Sequence, residues 1–225
     1  MRIFDRGLFE SDFPFFVAEY LPLTLRDVMR RRPSLQQKLS YAMQLLSGLS
    51  YLDQLDPPVV HRDIKPENIF VKGPTCVIGD FGLIKKQNAE LGDEADQADL
   101  KESLGIGMPR RYRSPDLVKY LLGQEKITTK SDVFQLGLVF AELFTGMNPS
   151  QPWTNPTDPV VLADLRKIPG SFGEEIVRRI SRMLSFNPAT RPSAIQMIAS
   201  FDPLYKEVCE RVYPFENSVF GKGLY

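Results

Sequence analysis

The chain has one histidine, one tryptophan and two cysteines in 225 residues, and its 28 basic side chains are balanced by 28 acidic ones. Each scarcity removes something. Cys76 and Cys209 are far apart and match no metal-binding spacing, so they read as plain thiols in a reducing compartment. A net charge of zero gives no general argument for nucleic-acid or membrane partners. No apolar run approaches the roughly 18 residues that suggest a membrane span, and the N-terminus lacks the basic-then-apolar pattern of a secretory signal. No internal repeat is present. The expectation is a soluble, cytoplasmic protein without a membrane segment or a nucleic-acid partner. With 43% hydrophobic and 25% charged residues, the chain can bury one sizeable core, or form one large domain with a tail.

Against that background one stretch stands out, His61-Arg62-Asp63-Ile64-Lys65-Pro66-Glu67-Asn68, followed twelve positions later by Asp80-Phe81-Gly82. It collects a base, a cation and two oxygen ligands for a hard metal ion. Asp63 can accept a proton from an attacking hydroxyl, and Lys65 can meet negative charge developing on a phosphate. Asn68 and Asp80 can hold magnesium through oxygen. Alone, Asp-Phe-Gly would read as an ordinary turn. The eight-residue run does not, with Ile69-Phe70-Val71 and Val77-Ile78-Gly79 forming two predicted strands between the motifs. The spacing suits phosphoryl transfer.

Two short strands, Phe4 to Glu10 and Phe13 to Glu19, are predicted to form a hairpin turning at Ser11-Asp12. After the connector Tyr20-Leu21-Pro22, Thr24 is placed to cap a short helix ending in Arg30-Arg31-Arg32. That triplet reads as a helix C-terminus complementing its dipole before it reads as a nucleic-acid patch. A longer helix starts at Ser34, with Leu35, Leu39, Ala42, Leu46 and Leu49 on one face, and stops before Pro57-Pro58. The stretch from Lys85 to Gly107 is irregular and acidic, with Glu90, Asp93, Glu94, Asp96, Asp99 and Glu102, and cannot bury much surface. Helices resume near Ser114. Val133 to Phe144 is apolar almost all round, so that helix must be central, with Thr129-Lys130-Ser131-Asp132 fitting a capping box and Gly146 a C-terminal stop. Amphipathic segments cover about Gly173 to Ser185 and Ser193 to Phe201, followed by a tail to Tyr225.

The two motifs resemble the catalytic core of eukaryotic-type protein kinases. The resemblance covers most of the chain. Phe16-Val17-Ala18-Glu19-Tyr20-Leu21 is similar to the strand and hinge that hold adenine, which implies nucleotide contacts at Glu19 and Leu21. Ser114-Pro115-Asp116 resembles Ala-Pro-Glu, Asp132-Val133-Phe134-Gln135-Leu136-Gly137 the start of the central helix, and Asn187 to Pro192 the closing arginine motif. It implies catalytic roles for Asp63 and Lys65, with Lys65, Asn68 and Asp80 serving ATP and Mg2+. It also implies that Arg191 pairs with Asp116, and that His61 braces the loop. For Asp132 it implies a carboxylate accepting backbone N–H bonds from the catalytic loop, a role compatible with the local capping box. Lys65-Pro66-Glu67 favours serine/threonine over tyrosine substrates.

The resemblance also has gaps. Nothing ahead of residue 16 resembles a glycine-rich phosphate loop, a strand lysine or its glutamate partner, parts that clamp ATP electrostatically. The family's usual threonine falls at Pro109, which has no donor, and Asp116 is one methylene shorter than the family's glutamate. The implied fold is mainly α (α+β), a kinase-like C-terminal lobe with a short N-terminal β-hairpin. Residues 1–21 would be remnant N-lobe strands and hinge, 22–200 the C-lobe with an activation segment at 80–116, and 201–225 a tail. Two functions stay open. One is a serine/threonine protein kinase acting on protein substrates, its N-lobe encoded upstream, supplied by a partner or lost to a misplaced start. The other is an inactive half-kinase serving as a scaffold or decoy. Arg62 beside Asp63 implies an activation segment ordered by phosphate, with Ser103 the one hydroxyl side chain between Gly82 and Gly107 to carry it. The nearby acidic residues supplying that charge themselves is the competing reading.

Overall fold

The structure is a computed structural model, and it describes residues 3–9, 13–83, 85–86 and 111–212. The Ser11-Asp12 turn, the acidic stretch from Glu90 to Glu102, Ser103, Pro109 and the tail after residue 212 lie outside the described residues. The fold is mainly α with small antiparallel sheets. Strands β1 (Ile3–Phe9) and β2 (Phe13–Ala18) form a hairpin in which Gly7 faces Phe15. A three-stranded sheet has the order β3 (Leu23–Thr24), β5 (Ile69–Lys72), β6 (Thr75–Ile78), and β4 (Val59–Val60) pairs with β7 (Lys85–Lys86). The β3–β5 and β4–β7 pairings are too short to carry a sequence signal. The second gives order to the first two residues of the stretch read as irregular.

Helix α1 (Leu25–Arg30) begins as expected at Thr24, whose hydroxyl accepts from Asp27 N while the Asp27 carboxylate accepts from Thr24 N at 3.0 Å. Ser34 and Gln37 form the same reciprocal cap on α2 (Leu35–Asp53). Each such cap contributes about 1 kcal/mol. Helix α2 buries Leu39, Ala42, Leu46 and Leu49, the face expected from their spacing. It packs against α4 (Lys130–Thr145) and α6 (Ala194–Val212). Helix α3 (Pro115–Leu121) starts at Ser114, whose hydroxyl accepts from Leu117 N at 3.0 Å. Helix α5 (Gly173–Met183) lies on α4.

Helix α4 is central, with every residue from Ser131 to Ala141 buried. Gly146 ends it in the left-handed region at φ 78°, where a side chain would be strained. The start departs from expectation. Thr129 makes no side-chain cap; its hydroxyl donates to Asp53, and Asp132 turns away to the loop that begins at His61. Buried loop N–H groups lack water as an alternative partner, so they outbid the helix start for that carboxylate. The tail expected from residue 201 is corrected as well. Helix α6 runs through Pro203 to Val212 because Phe201, Leu204 and Val208 are all buried. Each is worth about 1.5–3 kcal/mol, more together than the roughly 3 kcal/mol a proline costs inside a helix.

Candidate active site

The loop between β4 and β5 is suspended from α4. The Asp132 carboxylate accepts from His61 N at 2.8 Å and Arg62 N at 2.9 Å. One turn on, the Gln135 side chain accepts from Ile64 N at 3.1 Å and donates to Arg62 O at 2.9 Å. Burial pushes the Asp132 carboxyl up to about 7 while the two backbone donors pull it down. The sequence reading passed over Gln135. An amide within a helix otherwise apolar all round is the signal that could have found it, because a buried amide must find partners.

His61 holds the other side. Its Nε2 lies 3.1 Å from Gly79 O, which can only accept, so that nitrogen carries the proton. Nδ1 is then an acceptor and receives Asp63 N at 3.4 Å. Burial lowers the imidazole's pKa, consistent with this neutral form. Its ring also meets Phe81 edge-on, 5.0 Å between centroids. Arg62 and Asp80 occupy the left-handed region at φ 70° and 62°. Such backbone costs on the order of 1–3 kcal/mol per residue and persists only where surrounding bonds dictate it. The Arg62 guanidinium donates to Leu83 O.

Within this frame Asp63, Lys65 and Asn68 are drawn together. Lys65 Nζ lies 2.8 Å from Asp63 Oδ2, and Asn68 Nδ2 donates to the same oxygen at 2.7 Å and to Asp63 O at 3.0 Å. Asp63 Oδ1 has no donor among the described residues. It is the atom left to accept a proton. Because the amide nitrogen of Asn68 is committed to Asp63, its Oδ1 remains for a cation. Asn68 O accepts from Gly79 N at 2.9 Å, which joins this strand end to the exposed Asp80. Two oxygen ligands match a magnesium ion that completes its shell with phosphate and water, so the donor set fits. Among the described residues no group of three or more histidine, cysteine or acidic side chains could hold a metal on its own.

The other expected positions are dispersed. Arg191 Nη2 donates to Asp116 Oδ1 at 2.9 Å, both side chains buried, and the guanidinium also reaches Ser185 O and Lys130 O. Glu19 and Leu21 lie between β2 and β3, with Glu19 Oε1 2.5 Å from Lys72 Nζ. Sequence reasoning missed a cluster around Arg26. That guanidinium binds Glu67 at 2.8 Å, Tyr112 OH at 2.9 Å and Glu142, and Tyr112 OH also donates to Glu142. Burial works against the charged Arg26, but its bonds to Glu142 and Glu67 outweigh this and hold its pKa above the ordinary value. Glu142, a charge in an apolar helix, was the available clue.

A loop hung from a buried central helix, with an aspartate, a lysine and an asparagine converging beside Asp-Phe-Gly, is a protein kinase arrangement. The family described as protein kinase domain matches residues 6–201, and the chain belongs to it. It is 30% identical to a probable LRR receptor-like serine/threonine-protein kinase of Arabidopsis thaliana, over 89% of this chain and 22% of that protein. Serine/threonine-protein kinase A of a Synechocystis strain is 29% identical over 88% of this chain and 39% of its own length. A putative serine/threonine-protein kinase/receptor of Acanthamoeba polyphaga mimivirus is 32% identical over 83% of this chain and 11% of its own. The chain thus spans from about a tenth to two fifths of these relatives. No helix among the described residues is long and apolar enough to cross a membrane.

Proposed function

We propose that the chain carries the proton-accepting and magnesium-holding half of a serine/threonine protein kinase site. The observation behind this is the asymmetry of Asp63. Lys65 and Asn68 both bind Oδ2, which fixes the carboxylate and leaves Oδ1 for a substrate hydroxyl. Asp63 then orients that hydroxyl and takes its proton as the oxygen attacks. Lys65, one of whose contacts is to Asp63, is within reach of charge on the transferred group. Mg2+–ATP would supply the phosphoryl group, with Asn68 and Asp80 as metal ligands and Glu19 and Leu21 along the adenine. The serine/threonine relatives and Lys65-Pro66-Glu67 support hydroxyl side chains of proteins as acceptors.

We place the phosphate-clamping N-lobe groups on a segment that packs over the β1–β2 hairpin. Ile3, Phe4, Leu8, Phe15 and Val17 are all exposed on that hairpin, an apolar surface that supports a covering partner. An N-lobe contributed in this way accounts for the presence of a base and two metal ligands in this chain, which a scaffold has no physical need of. The test is transfer of labelled phosphate by protein purified from its source cells with associated segments retained. Asp63→Asn should lower the rate by about 10² or more. Equal labelling by wild type and variant would leave the scaffold reading in its place.

A further inference from the structure

Two cavities on the face formed by α1, α2 and α4 share Lys38 and Phe144. One, of about 330 Å³, is mostly apolar, with Leu35, Ile168, Phe172 and Ile176 in its wall. The other, of about 470 Å³, is cationic, lined by Arg26, Arg30, Arg32 and Lys38 with Glu142 as its one acidic side chain. Together they make one groove with an apolar end and a positive end.

The positive end is not neutralised from within. Glu142 is already committed to Arg26 and Tyr112, and Glu67 beneath it is bound by Arg26 as well. Arg30 has one loose pairing, 3.5 Å to Asp27, on a side chain that is 74% exposed. Lys38 and Arg32 have no carboxylate partner among the described residues. Lys38 sits at the junction, lining both cavities, with its ammonium 6.0 Å from the Phe144 ring centroid. Burial lowers its pKa, and no carboxylate restores it. At the sequence level Arg30-Arg31-Arg32 was accounted for by the dipole of α1. A six-residue helix has no need of three arginines for that, and Arg32 stands beyond its end in the left-handed region at φ 51°, turned into the cavity wall.

We propose that this groove docks a linear protein segment carrying a large apolar side chain next to acidic ones. The apolar side chain fills the smaller cavity, and the carboxylates lie along Lys38, Arg32 and Arg30. Charge complementarity selects an acidic partner over a basic one. The apolar half selects a peptide over nucleic acid, whose phosphates would leave that half unfilled. The position gives docking a purpose. The wall of the groove is Arg26 and Glu142, and Arg26 touches Glu67, four residues past Asp63, so a segment held here lies one ion pair away from the catalytic loop. Calling that segment part of a kinase substrate rests on the function proposed above; the binding itself does not.

The test is fluorescence anisotropy of the full chain, without nucleotide, against a labelled synthetic peptide with one phenylalanine followed by four glutamates. Saturable binding that weakens as salt rises is expected. The double reversal Lys38→Glu, Arg32→Glu should weaken it about tenfold or more, and so should replacing the phenylalanine by serine. Lys126→Glu, an exposed lysine outside the groove, serves as the charge control and should leave binding unchanged. Circular dichroism melts establish that the variants fold. Equal affinity for a peptide with lysines in place of the glutamates, or unaltered binding by the folded double variant, would overturn the proposal. Tighter binding of polyuridylic RNA, competitive with the peptide, would overturn the choice of a protein segment. Because no phosphate is transferred, this assay can succeed or fail independently of the Asp63→Asn comparison.

Discussion

Arg191 has no exposed side-chain surface, yet it carries a full charge into the core. It is tolerated because Asp116, Ser185 O and Lys130 O surround it and the Phe134 ring lies 4.9 Å away. Asp116 Oδ2 is buried without a partner, so this pair has nothing to spare. Arg191→Met would leave Asp116 as an uncompensated buried charge, at a cost of about 3–5 kcal/mol. For a chain of this size that lowers the midpoint of a thermal melt by roughly 6–20 °C. A melt within a degree or two of wild type would show that the site relaxes around the loss. At this scale the sequence is legible only where chemistry is local. Asp63, Lys65 and Asn68 announce themselves within six positions, whereas Arg191 and Asp116, 75 positions apart, could be joined only through family resemblance. Arg26 had no such help, since its partners stand 41, 86 and 116 positions away.

Elements were read best where a periodic face and a cap agreed, as for α1 and α2. They were misread where a tertiary partner competed with the local rule. The capping box at Thr129 did not form because its hydroxyl went to Asp53, while Asp132 took the loop N–H bonds that the family resemblance implied; α6 ignored Pro203 because Leu204 and Val208 had a core to enter. Gly137 shows the same priority inside α4. A Cβ added there would stand 3.0 Å from both Met183 Cβ and Leu184 Cδ2. Met183 Cβ is fixed to the backbone of α5 and cannot swing aside. Gly137→Ala gains about 1 kcal/mol of helix propensity but must separate α4 from α5, an overpacking cost of about 1–3 kcal/mol. Urea unfolding should therefore show a net loss of stability. A gain would mean that the two helices slide apart freely.

For the molecule as a whole, the loop's two anchors respond to pH with opposite sign. His61 is held neutral by burial, below its ordinary 6.5, so under that pH the unfolded chain takes a proton the fold refuses, and this contribution falls as pH falls. Asp132 is raised by burial from 3.8 to about 7, so its contribution is present below 3.8 and is lost as pH rises through about 7. Between about pH 4 and 6.5 the two slopes oppose each other. His61→Gln removes one of them. Its unfolding free energy, from urea titrations over that window, should fall more steeply with rising pH than that of wild type. Parallel curves would remove His61 as a source of the opposing slope. The overall architecture was legible because a buried central helix and a two-part motif bear signatures within one window of sequence. The sheet pairings of two residues and the Arg26 cluster bear none.

That cluster also sets an order of assembly during synthesis. Arg26 leaves the ribosome 116 residues before Glu142, which at about 5–20 residues per second is a wait of roughly 6–23 s. Until then Arg26 has only Glu67 and Tyr112 of its three partners, and the nascent first third of the chain faces chaperones and proteases without the central helix to cover its hydrophobic side. Ribosome-stalled chains ending before residue 142 should be cut by a protease within α1, and those long enough for all of α4 to have cleared the exit tunnel should resist cutting there.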